Sequence, residues 1–367
     1  MKLHIAQVAP LYESVPPRLY GGTERIVAYL TDALIAKGHR VTLFASGDSR
    51  TRATLVSHLE EAIRLNPAVK DPMAHHIIQM ADVMAHAHEF DIIHFHTDYL
   101  HFPLSELLHK PHVTTLHGRL DLPDLPYVYR RFPHQPVISI SYAQRKPLPF
   151  AHWVGNVYHG LPRDLYRLGK GDGGYVAFIG RISPEKRADL AIEIAAQAGY
   201  PIYIAAKIDK ADEAYFETSI KHLFDLPHVH YIGEIGDAEK NEFLGKAKAL
   251  LFPIDWPEPF GIVMIEAMAC GTPVIAFNRG SVPEVIDHGV TGYIVHHVQE
   301  AVDALRNVDA LDRRQIRQVF ETRFTSDVMA ENYLQIYHQL CGHKTTAERR
   351  IFPVSTQPEK NYQLQSA

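Results

Sequence analysis

The opening of the chain alternates short apolar runs with one amphipathic segment. Residues 3–10 are mostly apolar, and a loop with two glycines leads into a segment where Ile26, Leu30 and Leu34 recur at helical spacing. A second apolar run follows at 40–46. Apolar positions every three to four residues are typical of a helix packed on one face, whereas the short continuous runs are typical of buried strands. The pattern predicts a β-α-β unit.

The same alternation continues through the first half of the chain and then stops. Further short apolar runs lie at 91–96, 112–118 and 136–141. Strands that read as continuous apolar runs indicate a mostly parallel sheet covered on both faces. Glycines and charges interrupt any periodicity at 155–174, as expected of a connector between domains. We place the boundary near residue 161.

A second series of the same kind follows the connector. Its apolar runs and helical segments alternate along the chain at 175–183, 185–198, 201–208, 228–234, 238–247, 249–255, 260–270 and 272–278. After residue 299 the sequence is helical up to a polar tail. The pattern predicts an α/β chain with two Rossmann-like, doubly wound parallel-sheet domains facing a central cleft.

The predicted domains divide the chain into three parts. The first spans residues 1–160 and the second spans 161–340, with the helices near 321–340 packing back on the first domain. The polar residues 341–367 are expected to be disordered.

Composition and charge exclude several classes of protein. The formal net charge of -5 lacks the basic footprint that nucleic-acid binding requires, so no nucleic-acid partner is expected. No apolar run approaches the roughly 20 residues that cross a bilayer, so we expect at most peripheral contact with the inner membrane face. The apolar start is read as a strand rather than a signal peptide, and two cysteines suggest reduced thiols, so a cytoplasmic location is expected.

The segment from Glu258 to Glu266 carries the strongest chemical signal. A helix is predicted to open near Phe260, where unpaired backbone N–H groups can bind phosphate and Gly261 permits close approach of a ligand. Taken alone, Glu258 reads as an exposed turn residue and Glu266 as a solvated helix residue. Glu266, however, lies in an otherwise apolar helix, where an unpaired charge would be costly.

The two carboxylates also raise the possibility of glycoside hydrolysis. Eight residues at helical rise span about 12 Å, whereas the acid pair of a retaining hydrolase lies about 5 to 5.5 Å apart and that of an inverting one about 6.5 to 9.5 Å apart. The spacing therefore argues against Glu258 and Glu266 acting as acid and nucleophile.

Several motifs resemble one known family. The run EPFGIVMIEAMACGTPVIA from residue 258, followed by GSVPEVIDHGVTGYIV from residue 280, resembles the E-x7-E signature of family 4 retaining glycosyltransferases with the two-domain GT-B fold. The resemblance extends to GRISPEKR at 180–187, YGGTERIVAYLTDAL at 20–34 and LHG at 116–118, and so covers most of the chain.

The resemblance implies a donor site in the second domain. It implies that the donor sugar hydroxyls and diphosphate are held by Glu258 and by the backbone of Phe260, Gly261 and Ile262. It further implies that Glu266 binds the ribose hydroxyls of the nucleotide.

The resemblance also implies roles for residues outside the segment from Glu258 to Glu266. Arg181 and Lys186 are implied to neutralise the diphosphate, a role that charge alone also favours because the departing group gains negative charge. Gly21 and Gly22 are implied to approach the donor phosphate or the acceptor, and His117 to contact the transferred sugar.

The resemblance implies a retaining transferase that moves a sugar, of the hexosyl type, from a nucleotide diphosphate sugar to an acceptor hydroxyl. No cofactor is expected, and the acceptor is a carbohydrate, a lipid-linked glycan or a small molecule. A sugar-nucleotide epimerase of the same fold and a non-catalytic nucleotide-sugar-binding protein are the alternatives. Two positions depart from the family pattern: Arg187 stands where glycine is common, and Lys207 where a glycine-containing turn is common.

One histidine-rich string suggests a metal site. His94 and His96 lie two apart on a predicted strand, on one face, and Asp98 or His117 would have to supply a third ligand. The alternative is that these histidines are hydrogen-bonded or line the cleft. The resembled family needs no protein-held metal, so no metal is predicted.

Overall fold

The computed structural model describes residues 1–18 and 21–342, and within them the chain forms two parallel sheets. The strands of the first sheet, in chain order, are β1 (His4–Val8), β2 (Arg40–Phe44), β3 (Thr54–Val56), β4 (Ile92–Phe95), β5 (His112–Thr115), β6 (Val137–Ser139) and β7 (Trp153–Asn156). The strands of the second are β8 (Val176–Arg181), β9 (Ile202–Lys207), β10 (Val229–Gly233), β11 (Leu250–Phe252), β12 (Val274–Phe277) and β13 (Gly292–Val295).

Helices cover the sheets. In chain order the α-helices of the described residues are α1 (Gly22–Ala36), α2 (Pro72–His86), α3 (Phe102–Ser105), α4 (Leu125–Arg131), α5 (Ala188–Ala198), α6 (Glu213–Tyr215), α7 (Asp237–Lys246), α8 (Ile262–Ala269), α9 (Val282–Val285), α10 (Val298–Arg306), α11 (Arg313–Arg323) and α12 (Ser326–Leu340). None of them combines the length and apolar character that a membrane crossing needs.

The order of strands fixes where ligands can enter. The first sheet runs β3-β2-β1-β4-β5-β6-β7 and the second runs β10-β9-β8-β11-β12-β13. In each sheet the chain reverses its direction of winding, between β1 and β4 in the first and between β8 and β11 in the second. A crevice opens at such a point beyond the carboxyl ends of the strands. The predicted pair of doubly wound parallel-sheet domains is confirmed.

Helix α12 returns the chain to the first domain. Phe320 and Phe324 are buried in the core of the second domain, whereas Tyr333 and Tyr337 are buried in the core of the first. The crossing therefore lies between Phe324 and the start of α12. The predicted polar tail lies, from residue 343 onward, outside the described residues.

Candidate active site between the two domains

A cavity of about 750 Å³ lies between the domains, at the carboxyl ends of both sheets. The loops that follow β1, β4 and β5 form one wall, and those that follow β8, β9 and β11 form the other. The ten residues predicted from the sequence all lie on its walls: Gly21, Gly22, His117, Arg181, Lys186, Glu258, Phe260, Gly261, Ile262 and Glu266.

The glycines of the cavity wall bring the two domains close together. A Cβ atom on Gly22 would lie 3.7 Å from Cδ1 of Ile262 across the cleft. Gly261 has φ +76° and immediately precedes α8, and a side chain there would press on Met264 and Phe252. Only glycine fits this left-handed position without strain. The backbone at the first turn of α8, where helices have N–H groups without a partner in the helix, is therefore open to the cavity.

Arg181 and Lys186 place two cations on the same wall. Arg181 ends β8 and forms ion pairs with Glu185 at 2.6 Å and Asp212 at 3.1 Å. The ammonium of Lys186 contacts the carboxylate of Glu258 and lies 4.9 Å from the centroid of the Trp256 ring. Both cations are thus fixed in position before any ligand binds.

Glu258 is neither exposed nor unpaired. Its side chain is buried, and its Oε2 accepts a hydrogen bond of 3.0 Å from the indole Nε1 of Trp256 in addition to its contact with Lys186. A carboxylate committed to an ammonium in this way is better suited to hold hydroxyl groups than to attack carbon.

The two departures from the family pattern have different structural settings. Arg187 adopts φ +55°, in the left-handed region, so the backbone keeps the shape that glycine would favour. Its guanidinium pairs with Asp189 at 2.8 Å. Lys207 ends β9, lines the cavity and pairs with Asp209 at 2.9 Å.

Glu266 lies at the centre of a buried ionic cluster. Its side chain is 3% exposed, and its Oε1 is 2.8 Å from Nζ of Lys240 and 3.0 Å from Nη1 of Arg25. The hydroxyl of Tyr166 donates to the same oxygen at 3.3 Å. The charge that looked anomalous in an apolar helix is therefore compensated on two sides.

Arg25 joins the two domains through this cluster. It lies on α1 of the first domain and also forms an ion pair of 3.2 Å with Asp237 of the second. Tyr29, one turn further along α1, donates to Asp237 at 3.4 Å. The sequence analysis did not identify Arg25, Asp237 or Lys240. The only signal was that buried Glu266 required a cationic partner.

The His94-x-His96 string is part of the fold. The ring nitrogens of His94 lie 2.6 Å from the hydroxyl of Tyr337 and 2.7 Å from that of Thr115. Those of His96 lie 2.7 Å from Oε1 of Gln7 and 2.8 Å from His117. All four nitrogens have protein partners, and residues 1–18 and 21–342 hold no group of three or more side chains suited to a metal ion.

His117 lies on the cavity wall of the first domain. Its ring stacks on His159 at 5.2 Å, and burial lowers the pKa of His117 to about 3. Burial likewise holds the pKa of His159 well below its ordinary value. Both imidazoles are therefore neutral at neutral pH. His159 is a site residue that the sequence analysis missed.

Two acidic residues lie further along the first-domain wall. Asp98 follows β4 with φ +51°, an uncommon conformation for a residue other than glycine. Glu24 is buried near the start of α1, and burial raises its pKa from 4.5 to about 7.

The raised pKa of Glu24 predicts a pH-dependent loss of stability. The unfolded chain releases this proton near pH 4.5, whereas the folded chain keeps it until about pH 7, so the folded state loses stability as pH rises through that window. Relative to wild type, Glu24→Gln should gain about 2 kcal/mol in free energy of unfolding between about pH 5 and about pH 8. Urea unfolding at each pH tests this, with exposed Glu60→Gln as control. Parallel stability curves for wild type and Glu24→Gln would contradict it.

Two protein families match the chain, one in each half. Residues 20–154 match the family described as Glycosyltransferase Family 4, and residues 167–319 match the family described as Glycosyl transferases group 1. The two matches fall on the two structural domains and together cover most of the sequence.

Individual proteins with known names or structures are also similar. D-inositol 3-phosphate glycosyltransferase of Mycobacterium leprae is 27% identical over 249 residues, which are 59% of this chain and 54% of that protein. The chain spans about half the length of the curated relatives it matches.

Solved structures share the fold over nearly the whole chain. The glycosyltransferase AviGT4, involved in avilamycin A biosynthesis, has a TM-score of 0.72 and 23% identity, covering 93% of this chain and 98% of that one. Anabaena Alr3699/HepE in complex with UDP-glucose has a TM-score of 0.69 and 20% identity, covering 93% and 100%.

Proposed function

Because the chain belongs to the family 4 type of GT-B glycosyltransferases, we propose that it transfers a sugar from a nucleotide diphosphate sugar to an acceptor hydroxyl, with retention of anomeric configuration. One observation carries the proposal: Arg181, Lys186 and the first turn of α8 converge on one wall of the cleft. Two cationic side chains and the N-terminus of a helix that meet at one place are suited to bind a diphosphate leaving group.

The donor is proposed to bind mainly to the second domain. Its diphosphate would lie between Lys186 and the backbone of Gly261 and Ile262, with its sugar hydroxyls against Glu258 and its ribose against Glu266. The similar protein Alr3699/HepE is described in complex with UDP-glucose, which supports a nucleotide sugar of this kind. A hexose is the proposed transferred sugar.

The reaction is proposed to occur on one face of the donor. As the bond from sugar to phosphate breaks, negative charge grows on the diphosphate, and Arg181 and Lys186 stabilise it more than they stabilise the intact donor. A phosphate oxygen takes the proton of the acceptor hydroxyl as the new bond forms. Glu258, already paired with Lys186, holds the sugar and does not attack it. The closed cleft excludes water that would hydrolyse the donor.

The acceptor is proposed to enter along the wall formed by the first domain. Neutral His117 and the carboxyls of Glu24 and Asp98 offer hydrogen-bonding partners for hydroxyl groups there. A carbohydrate, a lipid-linked glycan and a small polyhydroxylated molecule all carry suitable hydroxyls.

A panel of nucleotide diphosphate sugars tests the proposal in two steps. A donor that binds only the folded protein raises its melting temperature by mass action. That donor, incubated with a set of glycoside acceptors, should yield a product whose anomeric configuration by proton NMR matches the donor. Interconversion of the donor sugar without acceptor would instead identify an epimerase. Binding without any turnover would identify a sensor.

The reaction is proposed to need no metal held by the protein, since Arg181, Lys186 and α8 supply the positive charge. Transfer should stay within about twofold of its original rate after treatment with EDTA. The assay compares protein dialysed against EDTA with the same protein after added magnesium or manganese. Activity that disappears with EDTA and returns with either ion would overturn this expectation.

A further inference from the structure

A chain of buried hydrogen bonds joins the cavity wall to helix α12. Nε2 of His117 lies 2.8 Å from Nδ1 of His96, whose Nε2 lies 2.7 Å from Oε1 of Gln7. The Nε2 of Gln7 then donates to the hydroxyl of Tyr337 at 3.2 Å, and that hydroxyl lies 2.6 Å from Nδ1 of His94. Apart from half-buried His117, these side chains are fully or almost fully buried, so water does not compete for the bonds.

The amide of Gln7 determines which group donates and which accepts in this series of hydrogen bonds. Its oxygen can only accept and its nitrogen can only donate, so His96 must carry its proton on Nε2. Nδ1 of neutral His96 is then an acceptor, and His117 must donate to it from Nε2. The remaining nitrogen of His117, Nδ1, is left with a bare lone pair.

The surroundings of His117 favour the same direction. Its Nδ1 is buried and has no protein hydrogen-bond partner among the described residues. Reversing every bond would place an N–H at that position, and a buried N–H without a partner is rarer and costlier than an unused acceptor. Burial also keeps the imidazoles of His94, His96 and His117 neutral.

We infer that Gln7, His96 and Tyr337 are positioning residues that hold His117 as its Nε2-protonated tautomer and keep its ring in place on the cavity wall, where a bound substrate contacts it. The second half of this inference rests on the proposed function. Helix α12, which is far from His117 in the sequence, thereby determines which ring nitrogen of this cleft residue carries the proton.

Two tyrosines of α12 provide a matched comparison. Tyr333 and Tyr337 lie one turn apart and are both fully buried against the first sheet. Tyr337 bonds Gln7 directly, whereas the hydroxyl of Tyr333 lies 2.9 Å from Thr115, on the other side of His94. Tyr337→Phe therefore removes one hydrogen bond of this series, whereas Tyr333→Phe leaves the bonds among Gln7, His96 and His117 intact.

Nitrogen-15 NMR of histidine-labelled full-length protein, without donor, measures the tautomer. Comparison with His117→Gln assigns its signals. In wild type and in Tyr333→Phe, His117 should show protonated Nε2 and unprotonated Nδ1. In Tyr337→Phe the two tautomers should mix, and kcat should fall about tenfold, the equivalent of one hydrogen bond, with the donor KM within about twofold.

A substitution of Gln7 keeps the inference testable if Tyr337→Phe does not fold, as judged by thermal denaturation. Gln7→Leu removes the acceptor for His96 and should mix the tautomers. A wild-type His117 protonated on Nδ1 would overturn the inference, as would equal losses of kcat in Tyr333→Phe and Tyr337→Phe. If no nucleotide sugar is turned over but the expected tautomer is found, the proposed function fails and the positioning role stands.

Discussion

Replacing Lys186 with methionine should lower kcat for sugar transfer by about a hundredfold or more. The ammonium of Lys186 faces the cavity beside the first turn of α8, where the diphosphate is proposed to gain charge as it leaves. A cation that acts on the growing charge stabilises the transition state more than the bound donor, so kcat should fall more than donor affinity. Methionine keeps an apolar stem against Trp256, whose ring the lysine approaches at 4.9 Å.

The control for this substitution must separate lost chemistry from lost folding. Lys246→Met makes the same change at an exposed position of α7, where the lysine pairs with Glu242 outside the cavity, and should leave kcat unchanged. Since Lys186→Met also leaves buried Glu258 without its ammonium, melting temperatures of both variants should be compared. A folded Lys186→Met protein with full kcat would remove the charge argument on which the proposed function rests.

The fold could be predicted well where local sequence determines local structure. Strands β1, β4, β8 and β11 are short and mostly apolar, and α1 has its apolar residues at helical spacing, so the two-domain α/β architecture could be predicted from the sequence. These elements also carry the residues that line the cleft. The positions of Lys186, Glu258 and Glu266 follow from short motifs whose residues are close along the chain.

Elements that depend on distant packing were harder to predict. The short strand β3 lies at the edge of its sheet, with little of its surface buried. Strand β7 contains Gly155, where a Cβ atom would lie 2.4 Å from Cδ1 of Ile336 on α12. That glycine reads as a loop residue in the sequence, and only the return of α12 explains why it occurs within a strand.

The partners of the motif residues were hidden for the same reason. Glu266 needed a cation, but Arg25 lies 241 residues away in sequence, and no local pattern could select it from the 37 lysines and arginines of the chain. The buried hydrogen bonds that link His117 to Tyr337 likewise join residues that are far apart in the sequence. Sequence motifs identified side chains that face the ligand, whereas the structure identified the side chains that hold them.

Glu266→Ala is therefore expected to destabilise the protein as well as inactivate it. Transfer should fall about a hundredfold, because Glu266 is proposed to hold the ribose of the donor. Stability should fall as well, because alanine would leave the cations Arg25 and Lys240 without their shared carboxylate. Removing one partner from a buried ionic cluster costs about 3 to 5 kcal/mol, here reduced by the remaining Asp237.

Glu266→Gln separates the two roles of the carboxylate. Glutamine keeps an oxygen for Arg25 and Lys240 but loses the charge that binds ribose hydroxyls strongly, so transfer should fall about a hundredfold with a smaller loss of stability. Urea unfolding and donor titration of Glu266→Ala, Glu266→Gln and the exposed control Glu193→Gln measure both quantities. Lys240→Met should lessen the unfolding caused by Glu266→Ala, because one cation then no longer needs the carboxylate. A Glu266→Ala protein as stable as wild type would show that the contact between Arg25 and Glu266 does not hold the two domains together.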